Sequence, residues 1–366
     1  MADPKSHRTA AAGFRALLLI ALCIAVGGVG WLVWKSYFAS QPSESWAASP
    51  FRNVRPGVQY VGDRACVVCH KHEADSFHAH PMGRSFTAMP AEGNLESYDT
   101  AARNPFEAAG LQYRVDRQGR EIVHNEILPR PKGASKFESS YRVRFALGSG
   151  SHGRAYLIDR DGFLFQSPIS WYTQRRAWDL SPGYDRNNQH FERPITGECL
   201  FCHSNYSGPV EHTLNRYQEP VFAGSSIGCE RCHGPGELHV KQPGEKVDGI
   251  DYTIVNPKHL SPELRESVCQ QCHLQGAVRI VRRGQQPFDF RPGLPLHLFR
   301  SIFVRPEGVV DDKAVSQVEQ MYSSKCFQAS KGALGCITCH NPHDEPAPTQ
   351  RVDYYRNRCL DCHKRE

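Results

Sequence analysis

The sequence contains little continuous hydrophobic chain and little excess charge. Of its 366 residues, 40% are hydrophobic and 10% aromatic, and the formal net charge is +6. The one long uncharged apolar run, at 16–34, excludes a membrane protein with many spans. The hydrophobic and aromatic content excludes an extended disordered chain. At about 150 residues per domain, this length allows two or three domains.

Cysteine is scarce outside a single pattern. Of the 14 cysteines, all but Cys23 and Cys326 lie in six copies of CxxCH, whereas random placement would give roughly 0.03 copies. The six copies are Cys66, Cys69 and His70; Cys199, Cys202 and His203; Cys229, Cys232 and His233; Cys269, Cys272 and His273; Cys336, Cys339 and His340; and Cys359, Cys362 and His363.

This pattern predicts covalently attached haem. Two thiols three positions apart reach the two vinyl groups of one haem as thioethers, and the histidine that follows becomes the proximal iron ligand. Six copies therefore predict six haem c groups. Four-cysteine zinc sites and disulfides are the alternatives, but neither requires histidine after the second cysteine in every copy.

The sequence around three motifs resembles a known family. The stretches are YVGDRACVVCH, IGCERCHGPGELH and LGCITCHNPH. They resemble the multihaem c-type cytochromes, in particular the class that contains the tetrahaem electron acceptor of hydroxylamine oxidoreductase, over roughly residues 57–366. The resemblance implies an electron carrier with closely packed haems, most of them with two histidine ligands.

The spacing of the motifs divides the chain. The first gap between motifs has 128 residues, and the later ones have 25, 35, 62 and 18. The basic residues before the apolar run predict a cytoplasmic N-terminus. The expected segments are a cytoplasmic N-terminus at 1–15, a transmembrane anchor at 16–34, a linker at 35–56, a first haem segment at 57–105, a β-rich insertion at 106–178 and a pentahaem domain at 179–366.

Local signals refine this organisation. Alternating apolar residues with hairpin turns at Gln118-Gly119 and Asp161-Gly162 predict a small antiparallel sheet in the insertion. Helices are expected from Ser261 into Cys269 and from Asp311 to Tyr322. The predicted fold is thus mainly α-helical and irregular, as in a multihaem cytochrome c, with a small antiparallel β insertion and one N-terminal transmembrane helix.

The sixth iron ligands come from outside the motifs. His343 is three residues beyond His340, and about 10 Å of chain cannot carry it around the haem edge, so we expect it to ligate a neighbouring haem. The compact turn between His233 and His239 indicates the same for His239, and the resemblance supports both. Further candidates, each with an ordinary surface or packing role as its alternative, are His152, His190, His259 and Met82. Cys326 is either a thiolate ligand or a buried free thiol.

The leading functional hypothesis is electron transfer by a membrane-anchored periplasmic hexahaem cytochrome c, between a respiratory donor and an acceptor. It predicts a single-pass protein of the bacterial inner membrane that binds redox proteins and no nucleic acid, because haem propionates offset the positive charge. No residue is then catalytic. Two alternatives stay open, a multihaem oxidoreductase acting on a small nitrogen or sulfur compound at an open haem, and a haem subunit of a larger respiratory complex.

Overall fold

The structure is a computed structural model. It describes residues 26–32, 46–90, 95–129, 137–222, 224, 226–244, 246–304 and 316–363. Met1–Ala48 and Ser49–Glu366 form separate compact units. In the first unit, the described residues form a helix at 26–32 and a helical turn at 46–48.

The predicted transmembrane segment falls mostly outside the described residues, which include only 26–32 of it. Within the part of the chain that the structure describes, no helix is long and apolar enough to cross a bilayer.

A nine-stranded antiparallel sheet dominates the second unit. It runs in the order β2-β3-β4-β5-β6-β7-β8, with β1 paired to β5 and β9 paired to β7. The strands are β1 (Phe86–Ala88), β2 (Phe106–Ala108), β3 (Leu111–Gln118), β4 (Glu121–Leu128), β5 (Phe137–Leu147), β6 (Gly153–Arg160), β7 (Phe163–Tyr172), β8 (Ala177–Leu180) and β9 (Arg193–Pro194).

The two predicted hairpin turns are confirmed. Gly119 follows β3 with φ +63°, and Asp161 and Gly162 join β6 to β7 with φ +54° and +85°. Two successive residues with positive φ match the twist of the flanking strands, which is why Asp-Gly is favoured at such a turn. The Asp161-Gly162 turn therefore sets the register in which Arg160 pairs with Phe163.

One face of the sheet encloses a dense aromatic core. Tyr113, Tyr156, Trp171 and Trp178 are buried there with aliphatic residues of β3 to β7. The terminal strands β2 and β8 contact each other, so the sheet curls around this core. Asn104 closes one end, because its side-chain amide donates to a backbone carbonyl and accepts from the amide of Val115.

The expected fold class is wrong. The sheet is not a small insertion, since it recruits β1 and β9 from outside 106–178 and contains the largest buried aromatic cluster of the described chain. The hairpins inside the insertion were visible because their turns are local in sequence. The pairing of β1 with β5 joins residues about sixty positions apart and carries no local signal.

The rest of the second unit consists of short helices and one two-stranded ladder. The ladder pairs β10 (Val278–Val281) with β11 (Arg300–Phe303). The α-helices are Asp63–Val67, Lys71–Ala79, Gly197–His203, Glu230–His233, Glu237–Lys241, Pro262–His273, Gln317–Ser323, Lys325–Ala329, Cys336–Cys339 and Arg351–Leu360. The 3-10 helices are Arg52–Val54, Met82–Arg84, Thr100–Ala102, Pro257–His259 and Leu296–Leu298.

Two of these helices were expected. The helix Pro262–His273 begins after Ser261 and contains Cys269, which confirms the first prediction. The second predicted helix is found at Gln317–Ser323, where Ser316 and Glu319 form a capping box, while 311–315 lie outside the described residues.

Candidate haem-binding sites

Each CxxCH motif lies on one helical turn. The amide of the motif histidine donates to the carbonyl of the first cysteine, at 2.9 Å in the first motif, 3.1 Å in the third, 3.0 Å in the fifth and 2.8 Å in the sixth. Residues three positions apart share one face of a helix, so both sulfurs point to the same side and the histidine stands beside them. This is the local geometry that a single haem requires.

The first and third motifs meet through buried carboxylates. The thiols of Cys66 and Cys229 are in hydrogen-bonding contact, and the amide of Cys229 donates to Asp63 at 2.9 Å. The carboxylate of Glu230, in a residue that is 2% exposed, accepts from the amides of Val61 and Gly62 at 2.9 and 2.8 Å. A carboxylate with several backbone donors fixes the segment before the first motif against the third.

The second and fourth motifs form another pair. The thiols of Cys202 and Cys272 are in hydrogen-bonding contact, and the buried Gln271 donates to the carbonyl of Arg231 in the third motif at 3.0 Å. The guanidinium of Arg231 in turn donates to the carbonyl of Phe201 in the second motif at 2.9 Å. Three motifs are therefore joined directly.

The fifth and sixth motifs extend the array. Cys336 contacts Cys269 of the fourth motif, and its amide donates to Glu266 at 3.3 Å. The hydroxyl of Tyr355, on the helix that carries the sixth motif, lies 3.1 Å from Nδ1 of His340. All six motifs thus form one connected array, which the gaps in sequence did not reveal.

Two pairs of histidine rings face each other across this array. The ring centroids of His70 and His239 are 6.2 Å apart with an interplanar angle of 28°, and those of His233 and His343 are 5.8 Å apart at 11°. With metal–nitrogen bonds of about 2.0 Å and ring centres about 1 Å further back, two imidazoles on opposite faces of one metal have centroids roughly 6 Å apart. Both pairs fit one iron between two histidines.

The second ring nitrogen of two of these histidines is held by an acceptor. His239 Nδ1 lies 2.8 Å from Asp251 Oδ2, and His233 Nδ1 lies 2.9 Å from the carbonyl of Val255. An acceptor at Nδ1 fixes the tautomer and leaves Nε2 free for a metal. Burial lowers the pKa of His233, which favours the neutral imidazole that binds iron.

A cavity of about 230 Å³ adjoins the second motif. Leu147, Ala155 and Leu157 of the sheet line one side, and Cys199, Cys202 and His203 line the other. The helix Gly197–His203 is placed there because Leu200 packs into an apolar cluster on this face of the sheet. Burial, followed by the charges of His273 and Arg279, lowers the pKa of His203 to about 4, so its imidazole is neutral at pH 7.

The other predicted sixth ligands lie apart from these pairs. His152 is exposed with Nδ1 3.3 Å from Gln174, and His190 Nδ1 lies 2.5 Å from the buried Glu126 in β4. His259 is exposed, and Met82 is half-buried. Their ligand roles stay predictions.

Cys326 is exposed, so the expectation of a buried thiol is wrong. It lies at the N-terminal end of the short helix Lys325–Ala329, a helix in which no residue is buried.

Several residues that build the sites escaped the sequence analysis. Asp251, which holds His239, is twelve residues further along the chain and belongs to no motif. Glu230 occupies a variable position of its motif, so its identity carried no signal. Arg279 and Arg300, near the second motif, come from the ladder and are brought there only by the fold.

In the part of the chain that the structure describes, no disulfide joins any of the cysteines, which include all twelve of the motifs. Nowhere in the described ranges do three or more histidine, cysteine or acidic side chains group so as to hold a metal ion such as zinc.

Two family models match the chain. The doubled CXXCH motif family matches residues 329–366, and the family of cytochrome c554 and c-prime matches residues 172–234. No curated protein matches the chain. Among solved structures, the outer cell wall cytochrome OcwA is similar at 19% identity and a TM-score of 0.37, covering 66% of this chain. The chain spans 44% of the length of that cytochrome.

The family matches and the motifs identify the chain as a multihaem c-type cytochrome that binds haem c. In such a cytochrome the motif cysteines would attach the vinyl groups, and the motif histidines would be the proximal ligands. When bound, each haem supplies a one-electron couple of its iron.

Proposed function

We propose that this protein carries six covalent haems and transfers electrons along them between a redox-protein donor and an acceptor. The observation that supports it best is the contact between motifs, because the first five are joined through their cysteines or motif residues, and the helix of the sixth reaches the fifth through Tyr355 and His340. Electron transfer requires haems that lie close together in a fixed arrangement. The match to the family of cytochrome c554 and c-prime also supports haem c binding.

Haem attachment to CxxCH is the basis for proposing a location outside the cytoplasm, in the periplasm of a bacterium. The donor and acceptor would then be respiratory redox proteins, or neighbouring subunits of a respiratory complex. Purification of the native protein with its partners separates a free carrier from a subunit, because a subunit co-elutes with them in stoichiometric amount.

We further propose that His239 is the sixth ligand of the haem on His70, and His343 that of the haem on His233. Both ring pairs have the centroid spacing that one iron requires. The change His239→Ala or His343→Ala should each convert one low-spin haem to high-spin in electron paramagnetic resonance, without loss of covalent haem. His297→Ala, at an exposed position, is the control. Unchanged spectra in both variants would show that the pairing is wrong.

Intact mass tests the proposal as a whole. The mature protein should exceed the mass of its polypeptide by six haems, and haem-stained denaturing gels should show the colour moving with the chain. A mass that equals the polypeptide plus zinc would contradict the proposal.

One observation favours chemistry at a haem as a second candidate. The residues that line the cavity at the second motif include no histidine besides His203, and they include Glu198, Gln275 and Arg279. A haem there without a second histidine would bind small ligands. Carbon monoxide added to the reduced protein distinguishes the two functions. Stoichiometric binding to one haem supports the enzyme, and no binding supports the carrier.

A further inference from the structure

The charges around four of the attachment sites differ in sign. Carboxylates surround the first and third motifs, where Asp63 and Glu230 accept backbone hydrogen bonds. At the fifth motif, Glu266 accepts a hydrogen bond from the backbone amide of Cys336. The second motif is different, because Arg231, which reaches across from the third motif, and Arg279 and Arg300 of the β10–β11 ladder approach it, and Glu198 is the carboxylate that faces them.

Two of these guanidiniums lie against the same ring. The carbon at the centre of the Arg300 guanidinium lies 4.1 Å from the ring centroid of Phe201, and that of Arg231 lies 4.2 Å from it. Phe201 stands between the two cysteines of the second motif. The Arg300 side chain is 1% exposed, and it donates to Glu198 at 3.3 Å and to the carbonyl of Pro287 at 3.0 Å.

The third guanidinium reaches a sulfur of the motif. Arg279 Nη1 lies 3.4 Å from Cys202 Sγ, and Arg279 lines the cavity together with His203. In the β10–β11 ladder, Arg279 pairs with Ile302, and Val281 pairs with Arg300. Alternate residues of a strand share one face, so the ladder presents Arg279 and Arg300 on the same side, toward the second motif.

Fixed positive charge at a haem acts on its reduction. A ferric iron that accepts one electron becomes ferrous and loses one positive charge, while the donor haem is oxidised from ferrous to ferric, and no proton is needed. Nearby guanidiniums disfavour the ferric form, and low exposure strengthens the effect. Arginine keeps its charge at all ordinary pH values, so the effect is permanent.

We infer that Arg231, Arg279 and Arg300 make the haem attached through Cys199 and Cys202 the highest-potential centre of the array, on which transferred electrons collect. The inference rests on the proposed attachment of a haem at this motif. It gives the array a direction, from the sites with carboxylates toward the site with arginines.

Potentiometric titration of the holoprotein, followed by haem absorbance, tests the inference. The change Arg279→Gln should lower the reduction equilibrium constant of the highest-potential component about tenfold, or about 59 mV for one electron. Arg279→Lys keeps the charge and should restore most of this potential, which separates charge from packing. Arg282→Gln is the matched control, since Arg282 adjoins the same ladder, is exposed and donates to the carbonyl of His297. Its titration should equal that of the wild type.

Arg300→Gln provides a second test with the same expected direction. If its burial prevents folding, the Arg279 variants still decide the outcome. An unchanged curve for Arg279→Gln with six haems attached, or a shift confined to the low-potential components, would overturn this inference alone. Peptide masses that show no haem on Cys199 and Cys202 in the wild type would overturn the proposed attachment as well.

Discussion

The sheet and the haem-attachment region stabilise themselves by different means. In the sheet, side chains alone fill the core, and Trp171, Trp178, Tyr113 and Tyr156 are almost wholly buried. In the attachment region, the helices Asp63–Val67, Glu237–Lys241, Cys336–Cys339 and Arg351–Leu360 contain no buried residue. These four helices have no buried core of their own, and we expect bound haem to supply one, as bound metal does in other small folds.

Removal of haem should have the largest effect, because it should destabilise the attachment region and leave the sheet folded. We expect a chain made without haem attachment to lose protection from hydrogen exchange in the helices that carry the first, fifth and sixth motifs, because these helices bury no residue of their own. The amides of β3 to β7 should stay protected. Equal protection of both regions with and without haem would show that the attachment helices fold on their own.

A cavity in the core of the sheet should have the next largest effect on stability, and this effect should be confined to the sheet. Trp178 is fully buried, lies near Tyr156 and Trp171, and donates to the carbonyl of Ser97 at 2.7 Å. Trp178→Ala should lower the free energy of unfolding by about 3–5 kcal/mol, measured by urea denaturation, with unchanged haem spectra. Phe137→Ala, at an exposed position of β5, is the control and should cost far less.

Loss of a single buried charge in the attachment region should lower the stability less than the cavity at Trp178 does. Glu230→Gln keeps the size of the side chain but removes the charge that accepts from the amides of Val61, Gly62 and Gly236. We expect a loss of about 2 kcal/mol in urea unfolding followed at the haem absorbance. Nearby, Glu237 accepts from one backbone amide, that of Gln59. The change Glu237→Gln should therefore lower the midpoint of urea unfolding less than Glu230→Gln does. Equal effects of the two changes would argue against the role of Glu230.

A pH dependence of the sheet is the smallest expected effect at neutral pH, and it grows as the pH falls. Complete burial lowers the pKa of His124 to about 3, below its ordinary value in an unfolded chain. Between these values the unfolded state binds more protons, so stability rises with pH and is lost as the pH falls from about 6.5, by about 1.4 kcal/mol per pH unit at most.

The change His124→Gln removes this titration, and its unfolding free energy should depend less on pH in that window. Parallel pH profiles for the two proteins would show that His124 titrates normally.

Features that depend on neighbours along the chain could be predicted from the amino-acid sequence. Covalent haem attachment needs two cysteines and a histidine within five residues, so the motifs predicted the cofactor before any fold was known. The Asp161-Gly162 turn and the start of the helix at Pro262 are likewise local, since backbone conformation at a turn or a helix end depends on a few residues.

Features that depend on distance in space followed from the fold alone. Reach along the chain showed that His343 cannot serve its own motif, but the fold placed it opposite His233. The pairing of β1 with β5 and the arrival of Arg279 and Arg300 at the second motif also join distant residues. Electrostatic and ligand contacts fall off within a few ångströms whatever the separation in sequence, which is why a local pattern could not predict them.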